Sequence, residues 1–403
     1  MHLLLKSPLG LVREPSGGIL RPGDARRLPL KPGIVEAGPR SYSGPMLRTM
    51  QLQRSRERLL RACEADLEPN ALRFEIVAEL QRAIGFAFWC WPLVDPVSLV
   101  PTGGLCEHPV LMPVFGRYMT MVEREPDDIN SYASLLHGAS RVGLLAHATG
   151  GDIQRSRRVR ELYQPLGLRD ELRVVLRDGR GCWGYLNLHR AADDQPFDVA
   201  AAQFVSQIAP ALAAGLRRSL HRGTVAEPVE PPPPGVLILD DDLRLRAQTP
   251  SARPWLQAMA PTASTASPAV VPPAVASVAA RLLGQEAGVD PHRPPRSRVH
   301  LGPRRWAVVH AARLEGEDAR IAVTIESAHP QEVLDLLCQA WGLSPRERAL
   351  LELVIGGLET GQIAARLSIS PHTVQDHLKT IFDKVGVHSR RELVGGLVAI
   401  RES

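Results

Sequence analysis

The chain has 403 residues, which at roughly 150 residues per domain predicts two or three domains. Hydrophobic residues make up 44% of it, so the composition excludes wholesale disorder and predicts buried cores. The 48 basic and 43 acidic residues give a net charge of +5 and a pI near 9.1, which permits nucleic-acid binding without indicating it. The five cysteines are odd in number and never spaced CxxC, which favours a reduced protein over a disulfide scaffold or a zinc site.

No segment of the sequence predicts secretion or membrane insertion. The opening run MHLLLK is too short for a signal peptide. The charge-free stretch 254–280 is long enough to span a bilayer, but its Ala, Ser, Thr and Pro residues lack the apolarity that a membrane helix needs. We therefore expect a cytoplasmic protein without membrane contact.

Composition and periodicity divide the chain into five regions. Residues 1–45 contain Gly, Pro and Arg without periodicity and are expected to form a disordered lead-in. Residues 223–235 are a Pro-rich linker, because consecutive prolines cannot continue a helix or a sheet. The linker separates two α+β domains, at 46–222 and 236–330, and a helical domain is expected at 338–403.

The first α+β domain is predicted from four patterned segments. A helix ending at Gly85 is indicated by apolar residues at four-residue steps: Leu72, Ile76, Leu80 and Ile84. A strand follows in FAFWCW, and a strand, a Gly-rich turn and a second strand follow in ELRVVLRDGRGCWGYLNLHR. The closing helix carries one apolar stripe: Phe204, Ile208, Leu212 and Leu216.

The second α+β domain is dominated by strand patterns. A strand, an acidic turn, a strand and a short helix from about Ser251 are predicted in VLILDDDLRLRAQTPSARPWL. Three more strands are predicted in VHLGPRRWAVVHAARL and ARIAVTIESA. The acidic turn superficially resembles a phosphoacceptor pocket, but no further Asp and Lys follow at a suitable spacing. We interpret it as a solvated turn.

Three motifs admit both a functional and a structural interpretation. The run GRGCWG at 179–184 fits the dinucleotide fingerprint GxGxxG, but a strand follows it where a helix is needed, which favours a hairpin turn. A basic run at 154–161, QRSRRVRE, suits nucleic acid, yet a solvated helix face is favoured in an Arg-rich chain. Ordinary strand packing is favoured over a ligand pocket for one aromatic group: Phe86, Phe88, Trp89 and Trp91.

No pattern of residues indicates catalysis. The histidines form no HxxxH or His/Cys cluster, and there is no nucleophile elbow, Walker motif or suitably spaced carboxylate pair. We predict no metal, no cofactor and no enzyme activity.

Repeated helix-start signals predict four helices in the C-terminal region. Ser344 and Glu347 form a capping box around a proline, and Gly356–Gly357 end the first helix. A short second helix is predicted in ETGQIAARLSIS. The third begins at Ser370–Pro371 and stops at Gly386, and a second capping box at 389–392 opens the fourth.

The third helix is predicted to be amphipathic. Its buried face carries apolar residues spaced four, three and four: Val374, Leu378, Ile381 and Val385. Its opposite face exposes polar residues: His372, Thr373, Gln375, Asp376, Lys379 and Thr380. Gln and Lys reach base edges in a major groove, Asp accepts from cytosine N4, and a helix N-terminus suits a phosphate. Segment 369–387 has no net charge. We therefore expect flanking arginines to contact the DNA backbone, and a dimer to be needed for sufficient affinity for DNA.

This C-terminal region resembles the LuxR-type helix-turn-helix of bacterial transcription regulators. The match runs without gaps from Leu343 to Leu397 and includes LSPRERALLELVIGGL and QIAARLSISPHTVQDHLKTIFDKVGVHSRREL. The resemblance implies base reading by Gln375, Asp376 and Lys379, and a dimer contact by the fourth helix. It also implies that Thr373 and His377 help to hold the DNA backbone. We expect further backbone contacts from Thr360 and from the flanking arginines Arg366, Arg390 and Arg391.

The match departs from the family pattern in the helix-turn-helix. Glu359 stands where the family commonly has Ser or Thr, and Gly361 stands where a basic residue is common. Gln375 replaces a frequent Lys or Arg at the first base-reading position. These departures affect the expected contacts with DNA phosphates and the expected target sequence. They do not change the predicted fold.

The region upstream resembles sensor domains. The helix, strand, hairpin and helix of 46–222 resemble a GAF-type sensor, and 236–330 resembles a PAS-like sensor. The sequence thus predicts a multi-domain α+β chain that ends in an all-α, four-helix LuxR-type domain. It would be a sequence-specific transcriptional regulator. Its expected partners are double-stranded promoter or operator DNA, a second copy of the chain, RNA polymerase and an unidentified small-molecule effector.

Two alternative functions stay open from the sequence. Region 4 of a sigma factor has a similar helix-turn-helix, although no promoter-melting region is visible upstream and a fourth helix follows the third. A small-molecule-binding or catalytic protein with an accessory DNA-binding domain is the other alternative. Transcription that needs only core polymerase and this protein would favour the sigma-factor alternative. Turnover of a small molecule by residues 46–330 alone would favour the catalytic alternative.

Overall fold

The computed structural model describes residues 45–65, 67–106, 118–119, 128–220, 231–259, 271–289, 292–302, 305–316 and 319–401. The predicted lead-in lies outside these residues except for its last position, as do residues 223–230 of the predicted linker. The described chain contains two antiparallel five-stranded sheets and a C-terminal group of helices. The prediction of a mixed α+β architecture with a helical C-terminal domain is confirmed.

The first sheet shares one hydrophobic core with three long helices. Its strands are β1 (Phe88–Val94), β2 (Pro101–Cys106), β3 (Val142–Leu144), β4 (Leu168–Asp178) and β5 (Gly181–Ala191), in the order β2-β1-β5-β4-β3. The long helices are α1 (Pro45–Glu64), α2 (Pro69–Ile84) and α5 (Val199–Ser219). Two short helices, α3 (Tyr132–His137) and α4 (Leu145–Ala148), lie between β2 and β4 in the chain.

The local predictions for this part are largely confirmed. Helix α2 ends at Gly85, which has a positive φ of 63°, and its four predicted apolar residues are buried. GRGCWG forms the β4–β5 hairpin turn and the start of β5, as the hairpin interpretation requires. Helix α5 is long and apolar enough to cross a membrane by length and composition, and half of its most apolar window is buried inside the protein.

Two predictions for the first domain need correction. The strand predicted in FAFWCW starts at Phe88 and extends to Val94. It is a central strand that pairs with β2 on one edge and β5 on the other, and side chains on both of its faces are buried. The basic run 154–161 is not simply a solvated helix face, since Arg158 is buried and forms ion pairs with Glu171 and Asp128.

The second sheet repeats the strand order of the first. It contains β6 (Gly235–Leu239), β7 (Leu245–Gln248), β8 (Arg296–His300), β9 (Trp306–Arg313) and β10 (Ile321–Ser327) in the order β7-β6-β10-β9-β8. Counted in chain order, both sheets read 2-1-5-4-3. The predicted strands and the short helix α6 (Ala252–Met259) are confirmed.

A helix that the sequence did not predict fills the core of this second unit. Helix α7 (Pro273–Glu286) is buried at every position from Pro273 to Gly284. It packs against β9 and also against β2 of the first sheet. Val100, which lies just before β2, belongs to the same hydrophobic cluster as α7, so the two sheets share packing contacts.

A second unpredicted helix joins the upstream region to the C-terminal domain. Helix α8 (Pro330–Trp341) places Leu336 and Ala340 in the hydrophobic core of the first sheet. Its other apolar residues, including Val333 and Leu337, pack in the core of the C-terminal helices. The β4–β5 turn and α5 both hold the end of α8, because Arg180 of the turn and Arg217 of α5 donate to the carbonyl of Ala340, at 2.8 and 2.5 Å.

Four helices follow α8, as predicted. They are α9 (Pro345–Ile355), α10 (Thr360–Leu367), α11 (Pro371–Val385) and α12 (Arg390–Arg401). The predicted capping box of α9 is present, with Ser344 and Glu347 each accepting a backbone N–H of the other. The box predicted for α12 is only half formed, since Ser389 accepts from the N–H of Glu392 but the Glu392 carboxylate accepts from the N–H of His388.

Candidate nucleic-acid interface

Helices α10 and α11 form a helix-turn-helix whose second helix is anchored on one face only. The Ser370 hydroxyl caps α11 by accepting from the N–H of Thr373 at 3.1 Å, and Gly386 ends the helix with a φ of 80°. Val374, Leu378 and Ile381 are buried in the C-terminal core. The opposite face of the helix is thereby turned toward solvent.

The three predicted base-reading residues lie together on this open face. Gln375, Asp376 and Lys379 are all exposed. Gln375 Nε2 donates to Oγ1 of Thr360, the first residue of α10, at 3.2 Å. His372 Nδ1 lies 3.1 Å from Asp376 Oδ2, and the two side chains are 86% and 68% exposed. The face therefore offers an amide, a carboxylate and an ammonium group within about one and a half helical turns.

The residues predicted to contact the DNA backbone differ from one another in exposure and in hydrogen bonding. The Thr373 hydroxyl lies 2.9 Å from that of Ser370, so Thr373 belongs to the cap of α11. Thr360 and His377 are half-buried, while Arg366 is exposed at the end of α10. Arg390 is half-buried and donates to the carbonyl of Leu358 in the loop before α10. Arg390 therefore holds that loop in addition to any external contact.

One of the two lysines of α11 is paired with a carboxylate inside the domain. Lys384 Nζ lies 2.6 and 2.8 Å from the carboxylate oxygens of Glu347, which is buried at the start of α9. Burial alone would raise the pKa of Glu347, but its hydrogen bonds with Lys384 and Ser344 outweigh burial and lower that pKa. The charged groups of α11 that face solvent are thus Asp376, Lys379 and Asp383, together with His372 when it is protonated.

Sequence reasoning missed two contacts that shape this surface. The Thr360–Gln375 and Glu347–Lys384 pairs join different helices, and their members are 15 and 37 residues apart. Neither spacing matches a helix or strand period, so periodicity could not have predicted them. The capping role of Thr373 was available from the sequence, because it stands three residues after Ser370.

The geometry defines a class of protein domain: a helix-turn-helix with a solvent-facing polar helix. Residues 342–395 match the family model described as bacterial regulatory proteins of the luxR family. The spore germination protein GerE of Bacillus subtilis is 37% identical over 60 residues, which cover 15% of this chain and 81% of GerE. The chain therefore belongs to the luxR family of bacterial regulatory proteins.

A second relative and a solved structure cover very different shares of this chain. A Mycobacterium tuberculosis protein named as an HTH-type transcriptional regulator is 47% identical over 57 residues, or 14% of this chain. The chain spans 6% of that relative's length. The crystal structure of Escherichia coli SdiA covers 88% of this chain and 98% of its own at 12% identity, with a TM-score of 0.34. That superposition is too loose to relate the upstream folds.

Proposed function

We propose that this protein is a sequence-specific DNA-binding regulator of transcription. The observation that carries the proposal is the exposed row of Gln375, Asp376 and Lys379 on a helix whose opposite face is buried. The row lies within the residues that match the luxR family. Helix α11 would enter the major groove, where amide, carboxylate and ammonium groups read donor and acceptor patterns on base edges.

Contacts to the phosphate backbone would set the register of α11 in the groove. Thr360 and Thr373 lie in the first turns of α10 and α11, where the helix dipole attracts anions. Arg366 and Lys379 make no ion pair within the described residues, so both cations are available to DNA. Arg390 and His377 would complete the backbone contacts from the flanks.

We propose that the protein binds DNA as a homodimer. Each α11 exposes a single lysine toward solvent, because Lys384 is paired with Glu347. Phosphate neutralisation supplies most non-specific affinity, so one monomer would bind weakly at physiological salt. Two reading helices placed about one helical turn apart would recognise a roughly palindromic site.

The upstream units would act as sensor domains, the first GAF-like and the second PAS-like. Support comes from the strand order that both sheets share and from the position of α8 between the first sheet and the C-terminal domain. A small-molecule effector would act through this helix, and RNA polymerase would be the partner at the promoter. A regulator with these roles would act in the cytoplasm.

Selection from a random duplex pool by the full-length protein tests the proposal. We expect enrichment of a motif with two inverted half-sites whose centres are about 10 base pairs apart. Arg61→Ala is a control for the loss of one positive charge, because Arg61 is exposed on α1 and lies far from α11 in sequence. It should select the same motif. Failure of the wild-type protein to enrich any motif, with and without cell extract as a source of effector, would contradict the proposal.

A further inference from the structure

The hydrogen bond between Thr360 and Gln375 links the first residue of α10 to the exposed face of α11. Nε2 of Gln375 donates to Oγ1 of Thr360 at 3.2 Å, within the normal range for such a bond. The backbones on both sides are rigidly placed, because the neighbouring Val374 and the nearby Ile363 are both 0% exposed. The amide of Gln375 is therefore tethered at one end.

The direction of this hydrogen bond decides what the amide presents to DNA. With Nε2 turned toward Thr360, one N–H is used, and a second N–H and the Oε1 acceptor remain. That pair matches adenine, which offers an acceptor at N7 and a donor at N6. With the amide flipped, Oε1 would accept from the Thr360 hydroxyl, and two N–H donors would face the acceptors N7 and O6 of guanine.

We propose that Thr360 is a positioning residue that orients the Gln375 amide to read adenine. The inference rests on the proposed function, since it assigns a base to one position of the DNA site. Lys379 lies one helical turn further along the same face and, as a pure donor, suits guanine. The Thr360 hydroxyl keeps its own proton, which is free to donate to a phosphate oxygen while the same oxygen accepts from Gln375.

Four variants of the full-length protein separate orientation from simple phosphate contact. Gln375→Ala identifies the base position that Gln375 reads, as the position where preference is lost in random-duplex selection. Thr360→Val keeps the shape of the side chain but removes the hydroxyl, whereas Thr360→Ser retains the hydroxyl. Lys379→Ala serves as a reference that should change a different position.

We expect the wild-type protein to prefer adenine at the Gln375 position by about 5-fold or more. Thr360→Val should reduce this preference to less than about 2-fold, and Thr360→Ser should retain it. Duplexes carrying 7-deazaadenine or unsubstituted purine at this position should each bind more weakly, because they lack N7 or the N6 amino group. Binding to these two modified duplexes tests directly whether Gln375 contacts N7 and the N6 amino group.

The outcomes distinguish this inference from the proposed function. A motif that carries guanine at the Gln375 position, or equal losses of affinity for every duplex in Thr360→Val, would overturn the inference while the regulator assignment stands. Equal losses would mean that Thr360 contacts only phosphate. If no motif is enriched by the wild-type protein, the proposed function itself fails.

Discussion

Asp95 and Arg298 form a buried ion pair that joins the two sheets. Arg298 Nε and its backbone N–H both donate to Asp95 Oδ2 at 2.9 Å, and a second guanidinium nitrogen donates to Oδ1 at 2.7 Å. Burial alone would raise the pKa of Asp95, but the hydrogen bonds and charge of Arg298 outweigh it and lower that pKa. Arg298 also donates to the carbonyl of Glu332 in α8 at 3.1 Å, so one side chain of β8 contacts both the end of β1 and α8.

Removal of one partner of this pair should be strongly destabilising. Arg298→Met leaves the buried Asp95 carboxylate without its cationic partner, and we expect a loss of about 3–5 kcal/mol in unfolding free energy. The double variant Asp95→Leu/Arg298→Met should recover most of that loss. Urea unfolding followed by tryptophan fluorescence provides the measurement.

The exposed pair Arg244–Asp242 is a matched control for this experiment. Its side chains are 70% and 72% exposed, and Arg244→Met should cost no more than about 1 kcal/mol. A loss in Arg298→Met as small as in this control would show that the buried pair does not hold the sheets together.

Stability should fall as the pH is lowered from about 6.5 to about 4. Burial lowers the pKa of His189 and of His300 to about 4, and a nitrogen of each ring is buried without a hydrogen-bond partner in the described chain. Because these folded-state pKa values lie below the unfolded value, the unfolded protein binds protons first as the pH falls. The stability present above about pH 6.5 is therefore lost progressively toward pH 4.

The pH dependence is measured as the urea midpoint of unfolding at intervals between pH 7 and pH 4. The double variant His189→Phe/His300→Phe cannot take up these protons and should show a shallower slope over this window. An unchanged slope in that variant would mean that other groups cause the decline.

Gly342→Ala should loosen the contact between the first sheet and α8. Gly342 has a φ of 68°, and an added Cβ would lie 2.5 Å from Nε of Arg180, the residue that donates to Ala340. We expect the left-handed conformation to cost about 1–2 kcal/mol, with a further loss from displacement of Arg180. Thermal unfolding of the full-length protein measures the sum.

Gly386→Ala isolates the backbone component of that loss. Gly386 has a φ of 80°, but nothing lies within 4 Å of its added Cβ. It should therefore lose only the conformational contribution, and its melting temperature should fall less than that of Gly342→Ala. Equal decreases would indicate that Arg180 moves aside at no cost.

The C-terminal helices could be predicted because their signals are local. Ser344 and Ser370 stand immediately before prolines at helix starts, and Gly386 stands where a left-handed residue ends α11. The spacing of the apolar residues of α11 predicted which face is buried. The polar residues on the opposite face were therefore expected to face solvent. Each inference needed only residues within about four positions of one another.

Helix α7 was missed because it has no polar face, whereas α8 carries a polar stripe of Glu332, Asp335 and Gln339 that the sequence analysis overlooked. Helix α7 is buried all around and shows no helical period in its Ala-rich sequence. Helix α8 divides its apolar residues between two cores, with Leu336 in one and Leu337 in the other. The buried state of Arg158 was equally hidden, because its partners Glu171 and Asp128 lie 13 and 30 residues away.

The most direct test of the regulator assignment compares wild-type protein with Lys379→Ala on two duplexes, the selected motif and a scrambled sequence, at physiological ionic strength. We expect wild type to prefer the motif strongly and Lys379→Ala to reduce this discrimination by about 1–3 kcal/mol, with a smaller change in affinity for the scrambled duplex. Equal losses on both duplexes would show that Lys379 contacts only phosphate. A wild-type protein that binds both duplexes equally would contradict sequence reading by α11.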